Sequence, residues 1–158
     1  MDKQAILQVE NLQKHFPVKG GLFSPGRAAK TAKTVKAVDG VSFSLERGQT
    51  LGLVGESGCG KSTTGRMISR LLDPTGGRIM VDGADIGQLR GRDLYNFRRK
   101  VQMIFQDPFA SLNPRQTVGT AIAAPMVAQR INPAGGLKNR VKELLDQVGL
   151  KPDRKSVV

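Results

Sequence analysis

The sequence predicts an α/β fold, and three observations carry that prediction. An apolar run over residues 50–54 (TLGLV) is followed at once by a glycine-rich stretch, GESGCGKST, and then by apolar residues at helical spacing. Upstream, residues 41–45 (VSFSL) alternate apolar and polar, as a half-buried strand does. Downstream, Leu137, Val141, Leu144, Leu145 and Val148 recur at the interval of an amphipathic helix, which Gly149 ends.

The elements follow in order. A first strand spans residues 5–12 and leads into Lys14, His15, Phe16 and Pro17. Residues 19–36 form an insertion rich in Gly, Ala and Ser, carrying Lys19, Arg27, Lys30, Lys33 and Lys36 and no acidic residue, so they read as a basic loop or hairpin tip. After the strand at 41–45 and a turn at 46–49, the run at 50–54 suits a strand buried on both faces. A helix should run from Lys61 to about Leu72, burying Met67, Ile68, Leu71 and Leu72, until Asp73, Pro74 and the Gly76-Gly77 pair stop it. Residues 78–81 and 84–86 flank Asp82-Gly83, a two-residue hairpin signal. Leu94, Tyr95 and Phe97 fall in a short basic helix ending near Lys100, and residues 101–106 (VQMIFQ) read as a strand closed by Asp107-Pro108. Residues 117–128 make a weaker helix interrupted by Pro125, ahead of the amphipathic one.

Bulk composition bounds the class. A chain of 158 residues, 39% hydrophobic and 24% charged, suits one soluble globular domain. It holds no apolar run of about 18 residues, so nothing predicts a membrane span, and its start lacks the layout of a secretory signal. A lone cysteine, Cys59, excludes an internal disulfide and fits a reducing compartment, the cytoplasm. Of the net charge of +12, the 19–36 insertion carries +5 with no acidic residue, and it is either a solvated loop or one drawn to an anionic surface. Without aromatics at regular spacing for base stacking, nucleic acid is not an expected partner.

Gly55-x-x-x-x-Gly60-Lys61-Ser62 meets the phosphate-loop (P-loop) pattern in full, between a predicted strand and a predicted helix. Gly55, Gly58 and Gly60 let the backbone turn tightly and point N–H groups inward at an anion, and the helix start adds its positive dipole end. Glu56, Ser57 and Cys59 complete the loop, with the Cys59 side chain expected to point away from the cradle as a small filler. Lys61 should reach the β- and γ-phosphates, Ser62 should offer its hydroxyl to Mg²⁺, and Thr63 should help hold the α-phosphate. A glycine-rich turn with an incidental lysine would not need a strand before it and a helix after it.

The residues around the loop narrow the class. VSFSLERGQTLGLVGESGCGKST followed by MIFQDPFASLNPR closely resembles the ATP-binding subunits of ABC transporters, within them the oligopeptide, dipeptide and nickel importer branch. The basic insertion and the FQDP…SLNP pair carry the narrower likeness. The resemblance implies a P-loop NTPase fold of the ABC ATPase type, represented by its N-terminal portion. That portion comprises an antiparallel β part, the P-loop strand and helix, a strand ending in the Q-loop glutamine, and, over about 107–150, the start of a helical subdomain. It implies that Phe16 stacks on adenine, with a core role for Phe16 and stacking by His15 as the rival readings. It implies that Gln106 contacts Mg²⁺ and the hydrolytic water, and that residues 109–115 touch coupling helices of the permease. The partners it implies are transmembrane permease subunits, a second ATP-binding subunit and, indirectly, a solute-binding protein, at the cytoplasmic face of the inner membrane.

Turnover in that family needs a Ser-Gly-Gly-Gln signature, an Asp-Glu pair at the end of an apolar strand, and a switch histidine. The chain offers only false matches: Asp73 and Asp146 without a following Glu, the Gly135-Gly136 pair without Ser or Gln, and His15, the single histidine, ahead of the P-loop. The expectation is therefore ATP binding without turnover by this chain alone, with a non-catalytic nucleotide-binding remnant as the alternative. An unrelated P-loop GTPase or kinase fits less well, since no Asn-Lys-x-Asp motif appears and the Gln106 segment stays unexplained.

Overall fold

A computed structural model describes residues 5–18, 34–107, 112–113 and 115–150. The chain divides into two units, Met1–Met103 and Ile104–Val158. Most of the predicted basic insertion, at 19–33, lies outside the described residues, as do 108–111, 114 and 151–158.

The first unit is built on two long antiparallel strands, β1 (Ala5–Pro17) and β2 (Thr34–Glu46). On the other edge of β1 lies β3 (Gly76–Val81), which pairs in turn with the short β4 (Ala84–Asp85), giving the order β2-β1-β3-β4. The first strand therefore runs past the predicted end at residue 12, because β2 supplies partners as far as Pro17 opposite Thr34. A proline is tolerated at that strand end. Asp82 and Gly83, at φ 48° and 77°, make the turn between β3 and β4, as two positive φ angles require.

Of the four register shifts along the long ladder, two shape the core and the loop contact. Val9 pairs with Phe43 and Leu12 with Val41, so β1 spends one residue more than β2. Asn11, at φ 45°, takes up the extra step and donates its N–H to Ser42 Oγ at 2.8 Å. Strict alternation would send positions 9 and 12 to opposite faces; the bulge turns both inward, where both are buried. The other lies on β2, where Lys14 pairs with Val38 but His15 with Lys36, leaving Ala37 over.

Val9, Leu12, Val38 and Ile79 from the sheet form one core with Met67, Ile86 and Phe97. Met67 comes from helix α1 (Lys61–Ile68), Ile86 from a 3-10 turn (Ile86–Gln88) and Phe97 from helix α2 (Gly91–Lys100), the predicted basic helix. Helix α1 ends about four residues earlier than expected. Ser69 Oγ donates back to the Gly65 and Arg66 carbonyls, a bond that competes with helix continuation. Arg70 then adopts φ 55°, its N–H bonding Met67 O while Leu71 N–H reaches Arg66 O, which closes the helix in a Schellman motif. Leu71, expected in the core, is 52% exposed, and Arg70 is buried instead.

The Arg70 side chain is 2% exposed and pairs with Asp73. Its Nη2 also reaches Gly87 O and Leu89 O, at 3.5 and 3.4 Å, while Nε has no hydrogen-bond partner. Arg90 donates to the same two carbonyls at 2.9 and 2.7 Å, so removing Arg70 strands neither of them. Arg70→Met, which keeps the volume and removes an imperfectly partnered charge, should stay within about 1 kcal/mol of wild type. Arg70→Ala, which opens a hole, should lose roughly 2–4 kcal/mol. Urea unfolding of the two variants checks the contrast.

Two predicted strands do not form. Residues 50–54 and 101–106 adopt no strand pairing, and Val54 and Ile104 are 96% and 95% exposed. Both runs have the composition of doubly buried parallel strands, but a strand exists only where a neighbour offers its backbone, and no described residue pairs with them.

The second unit carries α3 (Val118–Ala128) and α4 (Gly136–Gln147). Thr117 caps α3, its Oγ1 accepting from Thr120 N–H at 3.2 Å. Contrary to the expected interruption, α3 continues through Pro125, which sits in its last turn. The two helices pack through a small residue, since a Cβ on Gly119 would stand 3.8 Å from Val141 Cγ1. Leu145 is buried, whereas Val148, expected on the same stripe, lies past the helix end and is exposed. Gly149 ends α4 as predicted, at φ 74°. Among the described residues no helix is long and apolar enough to cross a membrane.

Candidate nucleotide-binding site

Gly58 and Gly60 hold φ angles of 86° and 97°, left-handed backbone that residues with a Cβ adopt at a cost. Gly60 is constrained further by what lies beside it. A Cβ there would fall 2.3 Å from the carbonyl oxygen of Ala37 and 3.1 Å from Val38 Cγ2. The β2 bulge thus presses its backbone directly against the last glycine of the loop, an approach that only a missing side chain permits.

Helix α1 starts immediately after Gly60, with no side chain capping its N-terminus and no acidic residue in its first turn. Thr64 turns inward, buried, with its N–H and Oγ1 both donating to Gly60 O at 2.8 and 3.0 Å. Ser62 and Thr63 occupy the same first turn. Uncapped N–H groups, the helix dipole and an absence of acidic side chains together make this end of α1 suited to an anion.

Lys61 folds back over the loop. Its ammonium donates to Gly55 O at 2.7 Å and Glu56 O at 2.6 Å, with Cys59 Sγ at 3.5 Å. This corrects the expectation for Cys59: its thiol points over the loop, and a Cβ on Gly55 would lie 2.7 Å from it. The cause is the tight turn in which Cys59 N–H bonds Glu56 O, bringing positions 55 and 59 face to face.

Phe16 reaches the same neighbourhood through strand register. It pairs with Val35, two or three residues along β2 from the Ala37 and Val38 that pack on Gly60. At about 3.3 Å per residue, its partner Val35 is roughly 7–10 Å along β2 from the loop contact, with Phe16 one strand spacing of about 5 Å across. The residue is 39% exposed, and Lys14 Nζ stands 5.2 Å from its ring centroid. Its rival His15 is engaged elsewhere, with Nε2 at 3.0 Å from Asp39 Oδ1, while Lys36 Nζ donates to Asp39 Oδ2 at 3.0 Å. Those two hydrogen bonds, Lys36 first and His15 second, hold the Asp39 carboxyl below its usual value.

The first unit therefore gathers Gly55, Glu56, Ser57, Gly58, Cys59, Gly60, Lys61, Ser62 and Thr63 with Phe16 on a neighbouring strand. Gln106 belongs to the second unit, exposed in a bend before Asp107. Lys14 was overlooked in the sequence; the signal was its place two residues from Phe16, on the same strand face. Among the described residues no group of three or more His, Cys, Asp or Glu side chains gathers around a metal position. The only oxygen donor in the first turn set for a hard cation is hydroxyl, which suits an ion such as Mg²⁺ that takes most of its ligands from water and phosphate.

The family described as ABC transporter matches residues 38–158. The oligopeptide transport ATP-binding protein AppF of Bacillus subtilis is 47% identical over 152 residues, which cover 96% of this chain and 45% of AppF. The glutathione import ATP-binding protein GsiA of Pectobacterium atrosepticum is 47% identical over 150 residues, or 95% of this chain and 23% of GsiA. The chain thus spans less than half the length of these curated relatives. Among solved structures, a dimeric ATP-binding cassette in a post-hydrolysis state with ADP and phosphate superposes with a TM-score of 0.69 at 22% identity. That superposition covers 96% of this chain and 60% of the cassette. The cbiO1 protein of Clostridium perfringens, part of an ABC transporter complex, gives a TM-score of 0.62 at 23% identity, covering 92% of this chain and 51% of cbiO1.

Proposed function

This chain belongs to the ABC transporter family, and from that premise we propose that it supplies the nucleotide-binding portion of an importer's ATP-binding subunit. The single observation that carries the reading is the loop over 55–63, wedged by Gly60 against the β2 bulge and opening onto an uncapped helix start. Its backbone N–H groups and Lys61 hold the β- and γ-phosphates of ATP, Thr63 assists at the α-phosphate, and Phe16 takes the adenine. Ser62 and Gln106 are the residues that would hold Mg²⁺, which when bound neutralises charge between the β- and γ-phosphates.

The names of the relatives, oligopeptide transport and glutathione import, support peptides or similar small solutes as the cargo of the whole protein. We assign it transmembrane permease subunits and a second ATP-binding subunit as partners, at the cytoplasmic face of the inner membrane. The stretch over about 107–150 is read as the start of the helical subdomain that meets the permease. The 158 residues contain no Ser-Gly-Gly-Gln signature and no paired Asp-Glu after an apolar strand, so this chain by itself binds ATP and does not turn it over.

Calorimetric titration of the full chain tests the reading. ATP and ADP should bind more tightly than AMP, and inorganic tripolyphosphate should compete with ATP, because the cradle acts on the phosphate tail. Equal affinity for ATP and adenosine would overturn it.

A further inference from the structure

Lys14 links the loop leaving α1 to the aromatic ring of Phe16. Its ammonium donates to Asp73 O at 2.7 Å and stands 5.2 Å from the Phe16 ring centroid. The carbonyl it uses is itself held in place. Two residues on, Thr75 N–H donates to Gln13 O at 2.9 Å, and His15 N–H donates to Thr75 Oγ1 at 3.0 Å, fastening this loop along β1 on both sides of Lys14. A surface lysine ordinarily samples many rotamers. This one is tethered at its tip, so the cation stays over one face of the ring.

We propose that Lys14 is a positioning residue for the base of the bound nucleotide, clamping Phe16 as a shelf whose other face receives adenine. The inference rests on the reading of the phosphate loop as an ATP site. Lys14 and Phe16 share a strand face, and Phe16 extends beyond the last β1–β3 pair, Gln13 with Gly76, so no β3 residue covers it. With β2 beside it on one edge and no strand on the other, the ring takes its orientation on the open side from Lys14. The ammonium also offsets the negative potential of the ring's π face, which reduces its repulsion with the π cloud of a stacked base. Lys14 differs in this from Lys61, whose ammonium lies against the loop and acts on phosphate.

The test compares ATP with tripolyphosphate, which has the phosphates and no base, on the full chain carrying Lys14→Met, Lys14→Arg, Phe16→Ala, or Lys14→Met with Phe16→Ala. Lys14→Met should weaken ATP binding about two- to fivefold and leave tripolyphosphate affinity unchanged, which also reports that the loop is intact. Lys14→Arg should retain ATP affinity, since a guanidinium can lie over the ring and still donate to the Asp73 carbonyl. In the Phe16→Ala background, Lys14→Met should add nothing. An equal loss of tripolyphosphate, or the same loss of ATP without the Phe16 ring, would overturn the proposal by making Lys14 a phosphate contact. Unchanged ATP affinity in both single variants Lys14→Met and Phe16→Ala, with tripolyphosphate still bound, would remove the shelf and leave the phosphate loop standing. A wild-type chain that binds neither ligand would instead remove the loop reading, and this inference with it.

Discussion

Replacing Lys61 by alanine should weaken ATP binding by roughly ten- to a hundredfold, the worth of a hydrogen bond to a charged group. The ammonium stands at the mouth of the loop, 2.7 and 2.6 Å from the Gly55 and Glu56 carbonyls. A phosphate at the cradle offers it a full negative charge in place of those neutral acceptors, so the ion exchanges weaker bonds for charge-assisted ones. The effect should follow the phosphates: tripolyphosphate should lose as much affinity as ATP, and AMP much less. The ATP affinity of Lys61→Ala should also fall less steeply with added salt, because one cation has left the site. Titrations at two salt concentrations measure both. A loss of the same size for adenosine would mean that the substitution had collapsed the loop and had not simply removed a phosphate ligand.

How far the sequence disclosed this site depends on which forces set each part of it. The glycine positions, Lys61 and the helix start were legible because local backbone chemistry dictates them. The Asp82-Gly83 turn and α2 and α4 were legible for the same reason. Arg70 was not, because the helix closure that sets its left-handed backbone does not ask for an arginine or for burial; the Asp73 carboxylate and the Gly87 and Leu89 carbonyls, brought there by the fold, do. The β bulges at Asn11 and Ala37 were invisible too. Each is settled by the partner strand, and each matters, one by turning Val9 and Leu12 to the same side and one by bringing Ala37 against Gly60. The apolar runs at 50–54 and 101–106 show the opposite failure. Their composition states a strand, yet hydrophobicity supplies no hydrogen-bonding partner, and Val54 and Ile104 stay exposed.

Gly60→Ala should cost the chain about 2–5 kcal/mol of stability and most of its ATP affinity. Left-handed backbone costs an alanine roughly 1–2 kcal/mol. The new methyl then meets the Ala37 carbonyl at 2.3 Å, a backbone group that cannot rotate aside, and forced overpacking of this kind costs about 1–3 kcal/mol more. Relief requires the β2 bulge to withdraw or the loop to lift. Because Thr64 bonds Gly60 O through both its N–H and its hydroxyl, lifting the loop drags the start of α1, and the N–H groups that face the phosphates lose their alignment. Gly58→Ala isolates the first term: Gly58 has a similar φ, 86° against 97°, but nothing within 4 Å of where its methyl would stand. It should lose only the backbone cost, about 1–2 kcal/mol. Denaturant unfolding and ATP titration of the pair measure the difference. Equal losses in the two variants would show that the contact between bulge and loop does not shape the cradle, since strain alone would then account for both.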